Sequence, residues 1–361
     1  MRISGLVISL LSVTATVLGA TLSRRAAITP NVNGNAIQVN PGQGGTYPRL
    51  TTLHDGSILA VVTAFSGANH ILTVTRSTDG GNSFQAWGTV ATATNDLDNG
   101  NLVQLPNGDI VCTFRNNDRN ANGVYTFYRI TACVSHDNGR TWSFLSQVDQ
   151  RTANGVNGLW EPFGRVARSG ALQIYYAAEN NGGDQDILMR SSTNGGATWS
   201  GVTTVAGATT AGRDGMPGCA DFNANGQNKV MCVFETTEGL GRFSVKSVVS
   251  NDDGVTWGER AQVYVATGSN NNAGAPQIIA TTGGALVVSF MTDEDTSLHQ
   301  WVNGADMKIV TSALSDPASW GRKTTVSGVQ SNWPGMLAKT DGGALGCADN
   351  GGAVCHQINF S

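Results

Sequence analysis

The sequence predicts an all-β fold: a six-bladed β-propeller with four-stranded antiparallel blades and Asp-box turns. Three observations predict it, namely a turn motif recurring at fixed spacing, hairpin signals between its copies, and a composition suited to short strands. Charged residues make up only 13% of the 361, hydrophobic residues 40%, and Gly occurs 46 times. Long helices draw on Ala, Leu, Glu, Lys and Arg, so this balance favours many short strands joined by tight turns. A chain of this length would ordinarily divide into two domains; the repeat makes it one. The formal net charge of −4 has no block structure. No basic stripe marks a nucleic-acid or anionic-membrane partner, which excludes those classes of function.

The chain opens Met1-Arg2, runs apolar from Leu6 to Leu18 and reaches Gly19-Ala20. A basic residue, a short apolar core and a small-residue exit describe a signal peptide over residues 1–20. The apolar run is too short to span a bilayer. Arg24-Arg25 ends a short propeptide, residues 21–25, so the mature domain is expected over 26–361. A secreted, extracellular protein is the consequence.

Four segments share S-x-D-x-G-x-T-W: Ser77 to Phe84, Ser135 to Trp142, Ser192 to Trp199 and Ser250 to Trp257. Their Asp79, Asp137, Asn194 and Asp252 recur every 57 or 58 residues. The carboxylate or amide caps backbone N–H groups of the turn, the Gly supplies a positive φ, and the aromatic packs beneath. A degenerate fifth copy runs from Ser315 to Trp320. Between the boxes lie six hairpin signals, at Asp55-Gly56, Asn107-Gly108, Ser169-Gly170, Asn225-Gly226, Gly283-Gly284 and Asp341-Gly342. Each separates two β-rich runs, so each blade is two hairpins. The sixth blade runs out of chain after three strands, and the segment around Ala36 to Val39 is expected to supply its fourth.

Six cysteines in a secreted chain read as three disulfides, with fifteen possible pairings. Cys219 and Cys232 are equidistant from the Asn225-Gly226 turn, Cys112 and Cys133 from Asn122-Gly123, and Cys347 and Cys355 flank Asp349 to Gly352. Three local staples are therefore expected: Cys112–Cys133, Cys219–Cys232 and Cys347–Cys355. No C-x-x-C occurs and the five histidines are scattered, so no zinc or other metal site is expected. Nothing in the sequence calls for a cofactor or a second subunit, and a monomer is expected.

In an up-and-down blade the first and third turns share one face of the disc. The mouth of the ring lies on the other, at the starts of first strands and the ends of second strands. Arg49, Asn101, Glu161 and Trp333 stand at first-strand starts; Arg115, Glu179, Glu235 and Asp293 stand at second-strand ends. Glu161 lies between Trp160 and Phe163, a setting that raises a carboxyl pKa. Glu235 ends the apolar strand Val-Met-Cys-Val-Phe-Glu, which fixes it on the rim. Several acids converging on one cavity in a chain so poor in charge suit glycoside hydrolysis, which requires two carboxyl groups flanking the sugar bond. Arg49, Arg115, Trp160, Glu179, Asp293 and Trp333 are the candidate substrate-binding residues around that pair.

Asp boxes on a six-bladed propeller resemble the sialidase superfamily. The Trp-Glu-Pro-Phe segment, the Val-Phe-Glu-Thr segment 74 residues later and Tyr47-Pro-Arg-Leu50 resemble family 93 glycoside hydrolases, over about residues 30 to 361. The resemblance implies a secreted retaining exo-arabinanase that releases arabinobiose from α-1,5-linked arabinan of plant cell walls. It implies Glu161 as general acid/base and Glu235 as nucleophile. One departure stands out. These families place a Tyr near the start of the sixth blade, and here that segment reads Ser331-Asn-Trp-Pro334, with no Tyr after Tyr264. That argues against a sialidase, whose nucleophile is that Tyr. A sialidase also needs three arginines, and blade five opens Gly274-Ala-Pro-Gln277 without one. A non-catalytic sugar-binding propeller, with Trp160, Phe163 and Trp333 as stacking platforms, is the first alternative, and a sialidase is the lesser one.

Overall fold

The computed structural model describes residues 28–361; the expected signal peptide and propeptide lie outside them. Six four-stranded antiparallel sheets surround a central axis. Their first strands are Thr46–Thr52, Asp96–Gln104, Leu159–Val166, Gly215–Ala224, Ala273–Ala280 and Asn332–Ala338. Blades one to five each use four consecutive strands. Blade six takes three C-terminal strands and adds Pro30–Gln38 outside Ala353–Phe360, with Ile37 opposite Cys355. The N–H of Val39 donates to the Ala353 carbonyl at 2.9 Å. Ring closure through the N-terminal segment is therefore as expected, and that strand begins at Pro30.

Alternating apolar side chains place a core between each pair of blades. Leu59, Val61 and Leu72 of blade one, for example, pack on Leu102, Ile110 and Phe114 of blade two. Asp boxes fasten the outer ends. Asp137 Oδ1 accepts from Ser135 Oγ at 2.8 Å and from the Thr141 N–H at 2.8 Å. The Thr141 hydroxyl, first of these bonds in effect, helps hold the Asp137 carboxyl down at about 2. In the third box Asn194 does the same work uncharged, accepting from the Thr198 N–H at 3.0 Å and donating to its hydroxyl at 2.8 Å. Gly139 must be glycine: its φ is 84°, and a Cβ would lie 2.7 Å from Leu59 of the preceding blade. The degenerate fifth copy forms no box. Blade five instead turns tightly there, Ala313 pairing with Asp316, and Trp320 falls within the strand Asp316–Ser327.

Two of the expected disulfides are present, Cys219–Cys232 and Cys347–Cys355. The third corrects the expectation. Cys112 and Cys133 face each other across the strands as foreseen, yet both are buried free thiols. The register is right, but opposite positions on a ladder do not of themselves give two sulfurs the separation and dihedral that a disulfide needs.

Each first strand carries a bulge near its start, between residue pairs Thr46/Arg49, Asp98/Asn101, Trp160/Phe163, Gly215/Gly218, Gly274/Gln277 and Asn332/Gly335. The residue after the first of each pair is left-handed: Tyr47, Asn99, Glu161, Met216, Ala275 and Trp333, with φ between 34° and 55°. Five precede a proline, which disfavours the right-handed helical region at that position. Left-handed backbone at bulky residues is strained and persists where the surroundings fix it. Around the axis this sixfold backbone turns one side chain per blade toward the mouth. Tyr47, Met216 and Ala275 pack together there with Met291 and Ala305.

Candidate active site

At that mouth lies a cavity of about 300 Å³ lined by Tyr47, Glu161, Met216, Glu235, Phe243, Asn272, Trp301 and Trp333. It contains both expected carboxyl groups. Glu161 is the left-handed residue of blade three. Glu235 lies across the ladder from Gly215, opposite the blade-four bulge. Each carboxyl meets the bulge of the following blade. The Ala275 N–H donates to Glu235 Oε2 at 2.7 Å, and the Met216 backbone lowers the pKa of Glu161.

Their electrostatics follow from burial. Desolvation pushes Glu161 up to about 7, against the pull of Arg115 and the Met216 N–H. Desolvation pushes Glu235 up to about 8; the Ala275 N–H opposes that rise and the Glu161 charge adds to it. Both carboxyls are thus held above the ordinary carboxylate range, each chiefly by loss of water. Arg115 is the nearest cation, its Nη1 4.0 Å from Glu161 Oε1. Asp96 and Asp98 both hold its Nη2, at 3.1 Å each.

Two aromatic pairs flank the carboxyls. Tyr47 stacks on Trp333 with centroids 4.8 Å apart and planes 23° from parallel. Phe243 meets Trp301 at 5.0 Å. Gly274 lets the second pair close on the acid, since a Cβ there would lie 2.5 Å from Glu235 Oε2 and 2.5 Å from the Trp301 ring.

The other expected site residues divide. Trp333 lines the cavity and Arg115 stands beside Glu161. Arg49 is buried beneath, donating to the Trp333 and Pro48 carbonyls at 3.1 Å each, and so ties blade six to blade one. Trp160 is not among the lining residues. Its indole packs edge-on against Tyr125 and Tyr128 at 5.5 Å, because the bulge that turns Glu161 inward turns its neighbour between blades. Glu179 accepts from the Gly158 N–H at 2.8 Å and pairs with Arg213 at 2.8 Å. Asp293 is wholly buried and accepts from the Asn272 N–H at 2.7 Å, bracing a cavity residue from behind. Phe163 also packs away from the cavity, against Tyr175.

Sequence reasoning missed Tyr47, Phe243, Asn272, Trp301 and Arg213. Tyr47 had a usable signal: Tyr-Pro occupies the position of Glu-Pro, Met-Pro, Ala-Pro and Trp-Pro in other blades. Phe243 and Trp301 sit in loops without periodicity. Arg213, held by Glu179, bears on both catalytic candidates. Arg242 donates to the Ala266 and Asn271 carbonyls. Among the described residues no group of His, Cys, Asp and Glu is placed to hold a metal ion.

No protein-family model matches the chain, and no curated protein matches it. Solved structures do. A GH93 α-L-arabinofuranosidase of Fusarium graminearum, in complex with arabinobiose, is similar with a TM-score of 0.71 at 20% identity, over 90% of this chain and 97% of that one. A Penicillium chrysogenum α-L-arabinanase complexed with arabinobiose gives 0.68 at 18% identity, over 91% and 98%. A mutant NanB sialidase from Streptococcus pneumoniae gives 0.59 at 11%, over 90% of this chain and 70% of the other. At these identities the likeness establishes the six-bladed fold. The family whose motifs the sequence resembles is also the one to which the first of these structures belongs.

Proposed function

We propose that the protein is a secreted, retaining glycoside hydrolase that removes arabinobiose from the ends of α-1,5-linked arabinan. The observation that carries this reading is the half-buried pair Glu161 and Glu235 meeting in one cavity between two aromatic walls. The arabinobiose bound by the solved neighbours and the sequence resemblance supply the substrate. The two disulfides suit an oxidising compartment. The Trp301 turn walls one side of the small cavity, a shape suited to a chain end.

Glu235 attacks the anomeric carbon while Glu161 gives its proton to the departing glycosidic oxygen, releasing the shortened arabinan. Glu161 then takes a proton from water, which attacks the same carbon and frees Glu235 with configuration retained. The Ala275 N–H fixes one oxygen of Glu235 and leaves the other for attack. This step needs Glu161 protonated and Glu235 ionised, so the reactive form carries its proton on Glu161. Positive charge developing at the sugar carbon beside Glu235 then stabilises its carboxylate. Reducing-sugar release from debranched arabinan, arabinoxylan and sialyl-lactose tests the substrate, and ¹H NMR of the first product tests retention. Activity confined to another glycan, or an inverted product, would overturn the reading. Azide should rescue turnover of an activated aryl glycoside in Glu161→Ala with a retained glycosyl azide. Rescue in Glu235→Ala alone, with inversion at neither residue, would exchange the two roles.

A further inference from the structure

The face opposite the catalytic mouth carries a second cavity, of about 500 Å³, at the outer end of blade five. It opens where blade five departs from its siblings. In blades one to four an Asp-box loop joins the third and fourth strands, and its polar groups are spent on the turn itself. Blade five has only the tight turn between Ala313 and Asp316. Nothing of the box remains to cover the groove, and the strand that follows lines it with Asp316, Ser319, Trp320 and Arg322.

Among the described residues the polar groups of these four side chains have no partner. The box tryptophans elsewhere donate their indole N–H within the protein: Trp142 to the Gly139 carbonyl at 3.0 Å, Trp199 to Ser146 Oγ at 2.9 Å and Trp257 to the Gly254 carbonyl at 3.2 Å. Trp320 packs one part of its ring on the core between blades four and five, yet its N–H has no acceptor among the described residues. Neither the Asp316 carboxylate nor the Arg322 guanidinium forms an ion pair or side-chain hydrogen bond there, although most acids and bases of this chain do. Ser319 Oγ is likewise free.

An indole face with a free N–H, a hydroxyl, one acceptor-only carboxylate and one donor-only guanidinium form a set that complements vicinal hydroxyls. The two charges cancel, so the site does not select for an acidic ligand. The volume lies in the range of small-ligand sites. We propose that this groove is a second, non-catalytic binding site for a stretch of neutral oligosaccharide, holding polymeric substrate while a chain end occupies the mouth. The choice of arabinan as its ligand rests on the proposed function; the site itself does not.

The test uses the full protein carrying Glu235→Gln, so that glycan is bound and not consumed. Its retardation in gels containing debranched arabinan, arabinoxylan or soluble β-glucan is compared with that of versions also carrying Asp316→Ala, Arg322→Ala or Trp320→Phe. Retardation by arabinan that weakens about tenfold with either charge substitution is the expected result. With Glu235 restored, the same substitutions should raise KM on the polymer and leave arabinotriose hydrolysis unchanged. Retardation by a different neutral glycan, weakened by the same changes, would support the site and count against the arabinan reading. Retardation absent with all three polymers, or unaltered by all three substitutions, would overturn the site, and unimpaired arabinotriose hydrolysis would then leave the catalytic reading in place.

Discussion

Replacing Glu235 with Gln should stabilise the protein, and should do so only above the ordinary carboxyl range. Burial raises Glu235 from 4.5 to about 8, so the folded protein holds a proton over that interval which the unfolded chain has released. The sign follows from linkage: the folded state is most favoured below pH 4.5, and stability falls as pH rises towards 8, after which the loss is complete. A lone carboxyl moved this far would remove roughly 5 kcal/mol from folding once ionised. Glu235 is only half-buried, so water screens part of this and the part that leaves with it is roughly 3 kcal/mol. Gln still accepts from the Ala275 N–H and has nearly the same volume, so little else changes. For a chain of this size roughly 3 kcal/mol corresponds to about 4 °C in Tm. Differential scanning calorimetry from pH 4 to 9 should give matching transitions for the two proteins at the acid end, with the variant pulling ahead from about pH 4.5 to 8. A difference that stays flat with pH, or that runs against the variant at pH 8, would refute the placement of this carboxyl in a desolvated pair.

Gly274→Ala should lower turnover by about a hundredfold or more with a small change in Tm, because its methyl would press on both Glu235 and Trp301; kinetics beside a thermal scan check this. Thiol titration of the unreduced, unfolded protein should count two thiols, and peptide mapping should link Cys219 to Cys232 and Cys347 to Cys355; a link between Cys112 and Cys133 would show that the third staple forms after all. Deleting residues 28 to 38 removes the outer strand of blade six and exposes the Ala353–Phe360 edge, so cooperative unfolding by circular dichroism should be lost; an unchanged transition would mean that the ring closes without it. Tyr47→Ala should weaken binding of arabinobiose about tenfold or more by calorimetry, since one partner of the Trp333 stack is lost; undiminished affinity would remove that pair from the site.

Much of the fold was legible because its determinants are local. An Asp box closes on its own eight residues, and a Gly in a tight turn reports a φ that other residues avoid, so neither needs knowledge of distant chain. Closure of the ring was legible as a shortfall: three strands at the C-terminus need a fourth. Glu161 and Glu235 were legible because rim positions follow from strand count. Arg49 was chosen in place of Tyr47 for a reason specific to the bulge, which moves the inward-facing residue two places toward the strand start. Trp160 failed for the related reason that neighbours on a bulged strand do not share a face. The Cys112–Cys133 pairing failed at a finer level, since register brings two sulfurs opposite while side-chain rotation decides whether they join. Phe243 and Trp301 come from loops, where no periodicity exists to read, and only the folded chain brings them to the carboxyls.

The bulges also explain how a nearly symmetric backbone yields an asymmetric site. Six equivalent left-handed positions hold Tyr, Asn, Glu, Met, Ala and Trp, so the backbone supplies direction and the side chains supply chemistry. Only blade three places a carboxyl there. The second carboxyl comes from blade four by another route, the register position opposite the bulge, which in the other blades holds Thr63, Arg115, Ala177, Met291 and Asp349. Arg115 and Glu235 are therefore equivalent positions two blades apart, with Glu161 between them. One brings a cation and the other an acid to the same carboxyl, opposing influences on a single proton. The N–H groups that meet the two acids belong to Met216 and Ala275, the left-handed residues of the next blades. Strain at these residues is thereby coupled to hydrogen bonds that favour the ionised carboxyls. A side-chain change at one bulge alters one group of the site, whereas relaxing a bulge would withdraw a side chain from one blade and an N–H donor from the acid of its neighbour.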